Sequence, residues 1–181
     1  MTSGSPTIKG VFVNSHINAV RKHRGESGIR TLEQLYGKSV SFRNSDNIPV
    51  AEEVRIIELA LGIVADRPIP PAERAFEAGR LHFRNFSTTP LGRIIFSMFR
   101  KNFKLMMLQS YHVAGHVFQG VKFRPEDLGP TSVRIVMENN DYPLDHFRGL
   151  FYEWLLFSGA SGSVDARIIP ENLYEYTISW R

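Results

Sequence analysis

Apolar residues recur at helical spacing through the first half of the chain, and this pattern predicts a series of amphipathic helices. In segment 49–66, Val54, Ile57, Leu61 and Val64 fall on one face of a helix. The prolines that follow lack an amide hydrogen and end the pattern. We therefore expect this helix to bury one face against the rest of the molecule.

Glycines divide the preceding segment into two shorter predicted helices. The first has Asn14 or Ser15 as its cap, because short polar side chains satisfy the free amide groups of a first turn, and it ends at Gly25. The second ends at Gly37. A further helix is predicted in segment 71–89, and segment 38–48 is predicted to be a connector that could contain an extended piece.

Segment 90–109 is the most apolar of the predicted helices. Its apolar residues form two stripes, the first made of Leu91, Ile94, Ile95, Met98 and Leu105, and the second made of Phe96, Phe99, Phe103 and Met106. Two stripes imply burial on two sides, so the pattern predicts that this is the central helix of the fold.

The apolar period changes after residue 110. Segments 111–123 and 132–139 are rich in β-branched and aromatic residues, which predicts a β-hairpin around the proline- and glycine-containing turn between them. A helix is predicted in segment 142–160, and segment 163–180 is predicted to form two further strands. The fold class is therefore α+β, with N-terminal helices packed on a small antiparallel sheet and one crossing helix. Residues 1–7 are predicted to be a flexible tail and residues 8–181 a single domain.

Composition excludes several classes of function for this chain. The 181 residues include no cysteine, which excludes disulfides and thiolate metal sites and suits a cytoplasmic location. The net charge of +4 is spread along the chain without an aromatic–basic signature of RNA binding, so nucleic acid is not an expected partner. No secretory signal, spanning apolar stretch, P-loop or nucleophile-elbow motif occurs, and we expect a protein that is not an enzyme.

The segments 8–25 ("IKGVFVNSHINAVRKHRG") and 92–99 ("GRIIFSMF") resemble the opening segment and the central helix of haem nitric oxide/oxygen-binding (H-NOX) domains. The strand–helix–strand run from Val133 to Trp180 resembles the end of that fold, which 4-vinyl-reductase-type ligand-binding domains share. Over residues 8 to 180 the chain looks like a myxobacterial family of paralogues of unknown function. The resemblance implies an H-NOX-like fold.

The resemblance also raises the question of haem. H-NOX domains hold the iron with a histidine after the central apolar segment and hold the haem propionates with a Tyr-x-Ser-x-Arg motif. In this chain the matching position of that motif reads "MENND", where Glu138 and Asp141 would repel propionates. The ligand histidine falls near Leu108 by length, and only a shift of four residues reaches His112.

His112 and His116 are the candidate chemical residues of the sequence. Their i, i+4 spacing puts them on one face of either a helix or a strand, and Gly115 with the neighbouring valines favours a strand. A metal site would need a third ligand such as His82 or Glu126. The interpretation that the two histidines are structural or line a pocket carries the most weight. His16 is expected to face solvent or to cap a helix, and His146 is expected at the surface.

These observations support three hypotheses. The first is a non-enzymatic regulatory or sensor module that binds a small apolar ligand or a signalling protein and shifts the packing of the first helices on the central helix. Its predicted ligand-binding residues are Phe96, Phe99, Phe103, Met106, His112 and His116, with no metal and no cofactor. The second is a haem-based gas sensor with His112 or His116 as the iron ligand. The third is a protein–protein interaction module without a ligand, whose marker would be a stable homodimer.

Overall fold

The structure is a computed structural model that describes residues 4–99, 102–170 and 173–181. The side chain of Phe99, one of the predicted ligand-binding residues, lies outside the described residues. In the described part, the helices are α1 (Gly10–Tyr36), α2 (Val50–Val64), α3 (Pro71–Thr88), α4 (Pro90–Phe99), α5 (Phe103–Leu108), α6 (Ser110–Val117) and α7 (Leu144–Phe157). The strands are β1 (Thr7–Lys9), β2 (Asn47–Pro49), β3 (Phe118–Gln119), β4 (Lys122–Gly129), β5 (Ser132–Glu138), β6 (Gly162–Ile169) and β7 (Leu173–Trp180).

Two antiparallel sheets complement the helices. The smaller sheet has the order β2-β1-β3, and the larger has the order β4-β5-β7-β6. In the larger sheet Val133 pairs with Ile178 and Ile135 pairs with Tyr176, and all four side chains are buried. Since alternate residues of a strand face the same side, these pairs form the sheet surface that packs against α7. The predicted α+β class, with one helix crossing a small sheet, is confirmed.

The N-terminal segment contains two helical stretches that meet at Gly25, as predicted, and we count them together as α1. Helix α1 runs through a kink at Gly25, where φ is 63° and ψ is −160°, and ends at Gly37, whose amide donates to the Glu33 carbonyl. The predicted cap at Asn14 or Ser15 is wrong, because the helix already begins at Gly10. The amide group of Asn14 donates instead to the carbonyl of Phe42. The predicted tail meets the fold at Thr7, where β1 begins.

Helices α3 and α7 cross at very short range. A Cβ atom on Gly79 would lie 1.7 Å from the carbonyl oxygen of His146, and one on Gly149 would lie 1.9 Å from that of Phe76. Real Cβ atoms cannot approach backbone so closely, so each helix presents a glycine to the other's backbone. This crossing brings residues of α3 and α7 together in the middle of the molecule.

The prediction of a central helix over 90–109 is wrong. The segment is divided into α4 and α5, and α3 holds the central position between α2 and α7. The buried face of α3 includes Gly79, His82 and Asn85, which made it look less apolar in sequence than α4.

The predicted first strand of the hairpin is also wrong over most of its length. Residues Ser110–Val117 are the helix α6, and strand β4 occupies the segment predicted as the turn. Pro125 is tolerated there because β4 lies at the edge of its sheet, where one side of the strand needs no amide donors. The second strand of the hairpin is confirmed as β5, and β6 and β7 confirm the C-terminal pair. The predicted turn at 170–172 lies partly outside the described residues.

One continuous apolar core links the helices to the larger sheet, from Phe12 in α1 to Ile178 in β7. A smaller cluster lies between α2 and α3. None of the helices in the described part of the chain combines the length and the hydropathy needed to cross a bilayer.

Candidate functional site: a buried histidine–glutamate cluster beside an apolar cavity

Four titratable side chains from four different helices meet inside the core. They are His16 of α1, Glu53 of α2, His82 of α3 and His146 of α7, and none is more than 2% exposed. We call these four residues the His–Glu cluster. Charged and titratable groups are seldom fully buried unless they are paired or bind a metal, so this burial marks the cluster as a candidate site.

Hydrogen bonds define the orientation of His16. Its Nε2 lies 2.7 Å from Oε1 of Glu53, and its Nδ1 lies 3.0 Å from the side-chain nitrogen of Asn85. A carboxylate accepts hydrogen bonds and an amide nitrogen donates them, so Nε2 carries the proton and Nδ1 accepts. His16 thus joins α2 and α3 to α1.

His82 lies between the other members of the cluster. Its Nδ1 is 3.0 Å from Nε2 of His146 and 3.6 Å from Oε1 of Glu53. The ring of His82 also meets the ring of His16 edge-on, with 5.1 Å between the centroids. Tyr142 packs on the His146 ring at 4.6 Å and closes the cluster.

Burial determines the charge state of the cluster. It disfavours the imidazolium form and lowers the pKa of His82 to about 3 and that of His146 to about 4, so both rings are neutral at pH 7. Burial alone would raise the pKa of Glu53, but the charge interaction with His82 and the hydrogen bond from His16 lower it to about 2. The carboxylate is therefore ionised, and the rings of His82 and His146 beside it are neutral.

Three buried polar atoms around this carboxylate have no hydrogen-bond partner among the described residues. They are Oε2 of Glu53, the hydroxyl oxygen of Tyr142 and Nδ1 of His146. The carboxylate lies near enough to Tyr142 to raise the pKa of that hydroxyl, on top of the larger effect of burial. An unpaired buried polar atom costs about 1–3 kcal/mol, so three in one place need a physical reason.

An apolar cavity of about 50 Å³ adjoins the cluster, and His82 lines both. The cavity lies between α3, α6 and α7, and the residues of its wall used below are Phe86, Ser110, Val113, Ala114, Phe147 and Trp154. Two polar atoms of these side chains, Oγ of Ser110 and Nε1 of Trp154, are buried without a hydrogen-bond partner among the described residues. The cavity is therefore apolar, with two polar groups on its wall that can still form hydrogen bonds.

The five described residues of the predicted ligand-binding set lie elsewhere. Phe96 and Met106 are buried in the core, and Phe103 packs edge-on against Trp180 at 5.0 Å. His112 and His116 are exposed on α6. None of the five belongs to the described residues that line the cavity.

The two alternative third ligands are also separate from the exposed histidine pair. His82 is buried in the His–Glu cluster, whereas Glu126 is exposed and pairs with Arg134 at 3.0 Å. Within the described ranges, the one group of side chains with metal-ligand geometry contains His16, Glu53 and His82.

The residues around the cavity do not fit haem. Helix α6 faces the cavity with Ser110, Val113, Ala114 and Val117, which carry no imidazole, and the histidine among the described lining residues, His82 of α3, lies 3.0 Å from His146 within the His–Glu cluster. A cavity for a drug-sized molecule needs about 300–1,000 Å³, far above the volume of about 50 Å³ in this cavity. Glu138, at the position expected for propionate binding, pairs with Arg124 at 2.9 Å.

Sequence reasoning missed the His–Glu cluster, because His16 and His146 were expected at the surface and Glu53 was not singled out. The structure overturns both expectations, since each of these two histidines is 0% exposed. A signal was present in the helical spacing. Titratable residues stand where apolar ones belong: His16 between Phe12 and Val20, Glu53 between Val50 and Ile57, and His82 between Ala78 and Phe86.

Comparison with solved structures shows that the fold is that of H-NOX domains. An oxygen-binding H-NOX domain related to soluble guanylate cyclases matches with a TM-score of 0.68 and 14% identity, over 96% of this chain and 95% of that chain. A T. tengcongensis H-NOX point mutant matches with a TM-score of 0.68 and 15% identity, over 96% of this chain and 98% of that one. A K. algicida H-NOX mutant in its Fe(II) unliganded form matches with a TM-score of 0.67 and 11% identity, over 96% and 97% of the two chains.

Within that fold class, the chain belongs to the family described as "Protein of unknown function (DUF2378)", whose model matches residues 3–181. No curated protein matches the sequence.

Proposed function

We propose that this protein is a non-enzymatic sensor module that binds a small apolar molecule in the cavity between α3, α6 and α7. The observation that carries the proposal is the cavity itself, an apolar space with hydrogen-bonding atoms on Ser110 and Trp154 that have no partner among the described residues. Apolar pockets with a few placed polar groups are the usual form of small-molecule sites. The solved structures with this fold include an oxygen-binding domain, which supports a sensing role by analogy of fold.

The cavity volume sets the size of the ligand. An engineered apolar cavity of about 150 Å³ accepts benzene or xenon. The cavity here, at about 50 Å³, suits a molecule of a few heavy atoms, such as a diatomic gas. A ligand atom that accepts a hydrogen bond from Nε1 of Trp154 would remove the cost of burying that group.

The signal would pass through His82, which contacts both the cavity and the His–Glu cluster. A ligand that binds one packing of α3 against α6 and α7 more tightly shifts the protein toward that packing. The hydrogen bonds of the cluster then transmit the shift to α1 and α2, and a signalling protein that contacts these helices would detect it. We place this activity in the cytoplasm, since a chain without cysteine suits a reducing compartment.

Native mass spectrometry of the purified chain, with denaturing mass measured on the same sample, tests the proposal. We expect a ligand heavier than a gas to be retained in the native spectrum and lost on denaturation, whereas a diatomic gas would escape and leave an apo mass. Xenon serves as a second probe, because it binds apolar cavities and would shift the methyl NMR signals of Val113 and Ala114. An Ala114→Met substitution should fill the cavity and abolish both responses.

The matched control is Gly115→Ala on the same helix, where the added methyl group would have no described atom within 4 Å apart from its chain neighbours and the backbone of its own helix. This variant should behave as the wild type. A clean apo mass together with no xenon response in the wild type would contradict the proposal and favour a module that acts by protein–protein contact. A retained mass equal to that of haem, with a coloured protein, would instead support the haem-sensor hypothesis.

A further inference from the structure

We propose that His16, Glu53 and His82 form a binding site for a divalent transition-metal ion. His146 lies beside the third of these ligands, His82. The ligand atoms of the three residues all lie within 4.8 Å of one another, and all three side chains are buried. This site is independent of the proposed function, because it uses the polar cluster and needs no ligand in the apolar cavity.

The distances within the cluster match those between ligands of one ion. Bonds of about 2.0–2.1 Å at tetrahedral angles place neighbouring ligand atoms about 3.3 Å apart. Here the Nε2 of His16 lies 2.7 Å from Oε1 of Glu53, and that oxygen lies 3.6 Å from Nδ1 of His82. The first of these distances is about 0.6 Å shorter than that spacing and the second about 0.3 Å longer, so small side-chain shifts would bring both pairs to the spacing of ligands on one ion.

The donor set defines the class of ion. Two imidazoles and one carboxylate suit zinc, ferrous iron and related first-row ions, whereas calcium and magnesium prefer oxygen ligands alone. Three protein ligands leave a coordination position open, as in catalytic zinc and non-haem iron sites. The chain has no cysteine, so sites built on thiolates are excluded.

The unpaired atoms supply an independent observation that points to a ligand. Oε2 of Glu53 is fully buried without a hydrogen-bond partner among the described residues, and so are the Tyr142 hydroxyl and Nδ1 of His146 nearby. An ion bound to Glu53 would either be shared by both carboxylate oxygens or bind Oε1 and leave Oε2 to accept a hydrogen bond from a neighbour such as the Tyr142 hydroxyl.

Asn85 completes the outer shell. When Nε2 of His16 binds an ion, its proton moves to Nδ1, which then needs an acceptor. The Asn85 side chain, now 3.0 Å from Nδ1 through its nitrogen, supplies that acceptor by rotating its amide group so that the oxygen faces the ring. Such second partners orient histidine ligands in metal sites.

The test uses the full chain with His112 and His116 both replaced by alanine, because an exposed i, i+4 histidine pair can bind added metal adventitiously. Metal content is measured on this protein as purified by elemental mass spectrometry. The protein is then stripped with EDTA and titrated with Co²⁺, whose visible absorption reports tetrahedral nitrogen and oxygen ligands. We expect one equivalent of bound Co²⁺ and competition by Zn²⁺.

Glu53→Gln in the same background keeps the shape of the side chain and removes its charge. It should weaken Co²⁺ binding by more than about 100-fold, and Asn85→Ala should weaken it by about 10–100-fold. Glu58→Gln, five residues further along α2 and on a different face of the helix, is the matched control and should bind Co²⁺ as the parent does.

Binding that survives Glu53→Gln unchanged, or no tetrahedral spectrum in the parent, would overturn the metal site and leave the cluster as a hydrogen-bond network. A thermal melt of the EDTA-stripped parent is a second test, and it needs no substitution in the His–Glu cluster. Zn²⁺ should raise its melting temperature, since an ion that binds only the folded state stabilises it. An unchanged melting temperature would likewise overturn the proposal. The xenon and native mass spectrometry experiments test the apolar cavity, so their results do not depend on whether the metal site exists.

Discussion

At the scale of single residues, two glycines determine where the candidate site can form. Gly79 and Gly149 let α3 and α7 approach until each glycine touches the other helix's backbone. His82 follows Gly79 by three residues on α3, and the backbone carbonyl that lies against Gly79 belongs to His146. The 3.0 Å contact between the two imidazoles therefore depends on the absence of a side chain at position 79.

Replacing Gly79 with alanine tests this dependence. The new Cβ would lie 1.7 Å from the His146 carbonyl oxygen, so the helices must separate. We expect a loss of about 1–3 kcal/mol in the free energy of unfolding, the usual cost of overpacking a core. Urea unfolding followed by circular dichroism measures it.

Gly62→Ala is the control for that measurement, because a Cβ at this exposed position of α2 would have no other atom within 4 Å. It should be neutral or stabilising by about 0.5–1 kcal/mol, since alanine is the better helix former. If Gly79→Ala were as stable as Gly62→Ala, the close crossing would be wrong.

At the scale of elements, the sequence predicted those whose pattern is decided locally. Helix α2 and strands β5, β6 and β7 were found because their apolar periods are clear and their ends carry prolines, glycines or polar turns. The central position of α3 was not predicted, because Gly79, His82 and Asn85 interrupt its apolar face. These residues are buried through their contacts with other helices, which the sequence of α3 alone does not show. Sequence spacing alone cannot show that His16, Glu53 and His82, far apart along the chain, share one cluster.

Helix α6 is the element where local and tertiary preferences disagree. Its valines and Gly115 favour a strand, yet Ala114 and Val117 face the core at helical spacing while His112 and His116 stay exposed. Packing against the cavity therefore outweighs the local preference, and the histidine pair faces solvent instead of the pocket.

Gly115→Ala compared with Gly115→Val distinguishes the helix from the predicted strand. In a helix alanine should raise the free energy of unfolding by about 0.5–1 kcal/mol and valine by less, because a β-branched side chain is the poorer helix former, whereas a strand would favour valine. Gly37→Ala should lower the free energy of unfolding, since Gly37 ends α1 at a φ of 89°, which alanine adopts only with strain. Thermal or urea unfolding of the three variants measures these changes, and a Gly115→Val protein more stable than Gly115→Ala would argue against helix α6.

At the scale of the whole molecule, the continuous core bears on the prediction that residues 8–181 form a single domain. Phe83 of α3 packs against Trp154 of α7, at 5.7 Å between ring centroids, and Phe151 of α7 packs against Tyr176 of β7 at 5.4 Å. Helix α7 thus connects the helical layer on one side to the sheet on the other. Among the described residues, the apolar core is continuous between the helical layer and the sheet.

A chain with such a core should unfold in one cooperative transition. Trp154 reports on the helical layer, where it is 5% exposed, and Trp180 reports on β7, where it packs edge-on against Phe103. Two single-tryptophan proteins, Trp180→Phe and Trp154→Phe, allow each region to be followed by fluorescence during urea unfolding. Within each protein, the fluorescence midpoint should coincide with the midpoint of the far-ultraviolet circular dichroism, which is the test of two-state behaviour in small domains. Comparing probes within one protein removes the stability difference between the variants. A fluorescence midpoint that differed from the circular-dichroism midpoint of the same protein would show independently folding units, and would mean that contacts through α7 do not couple them.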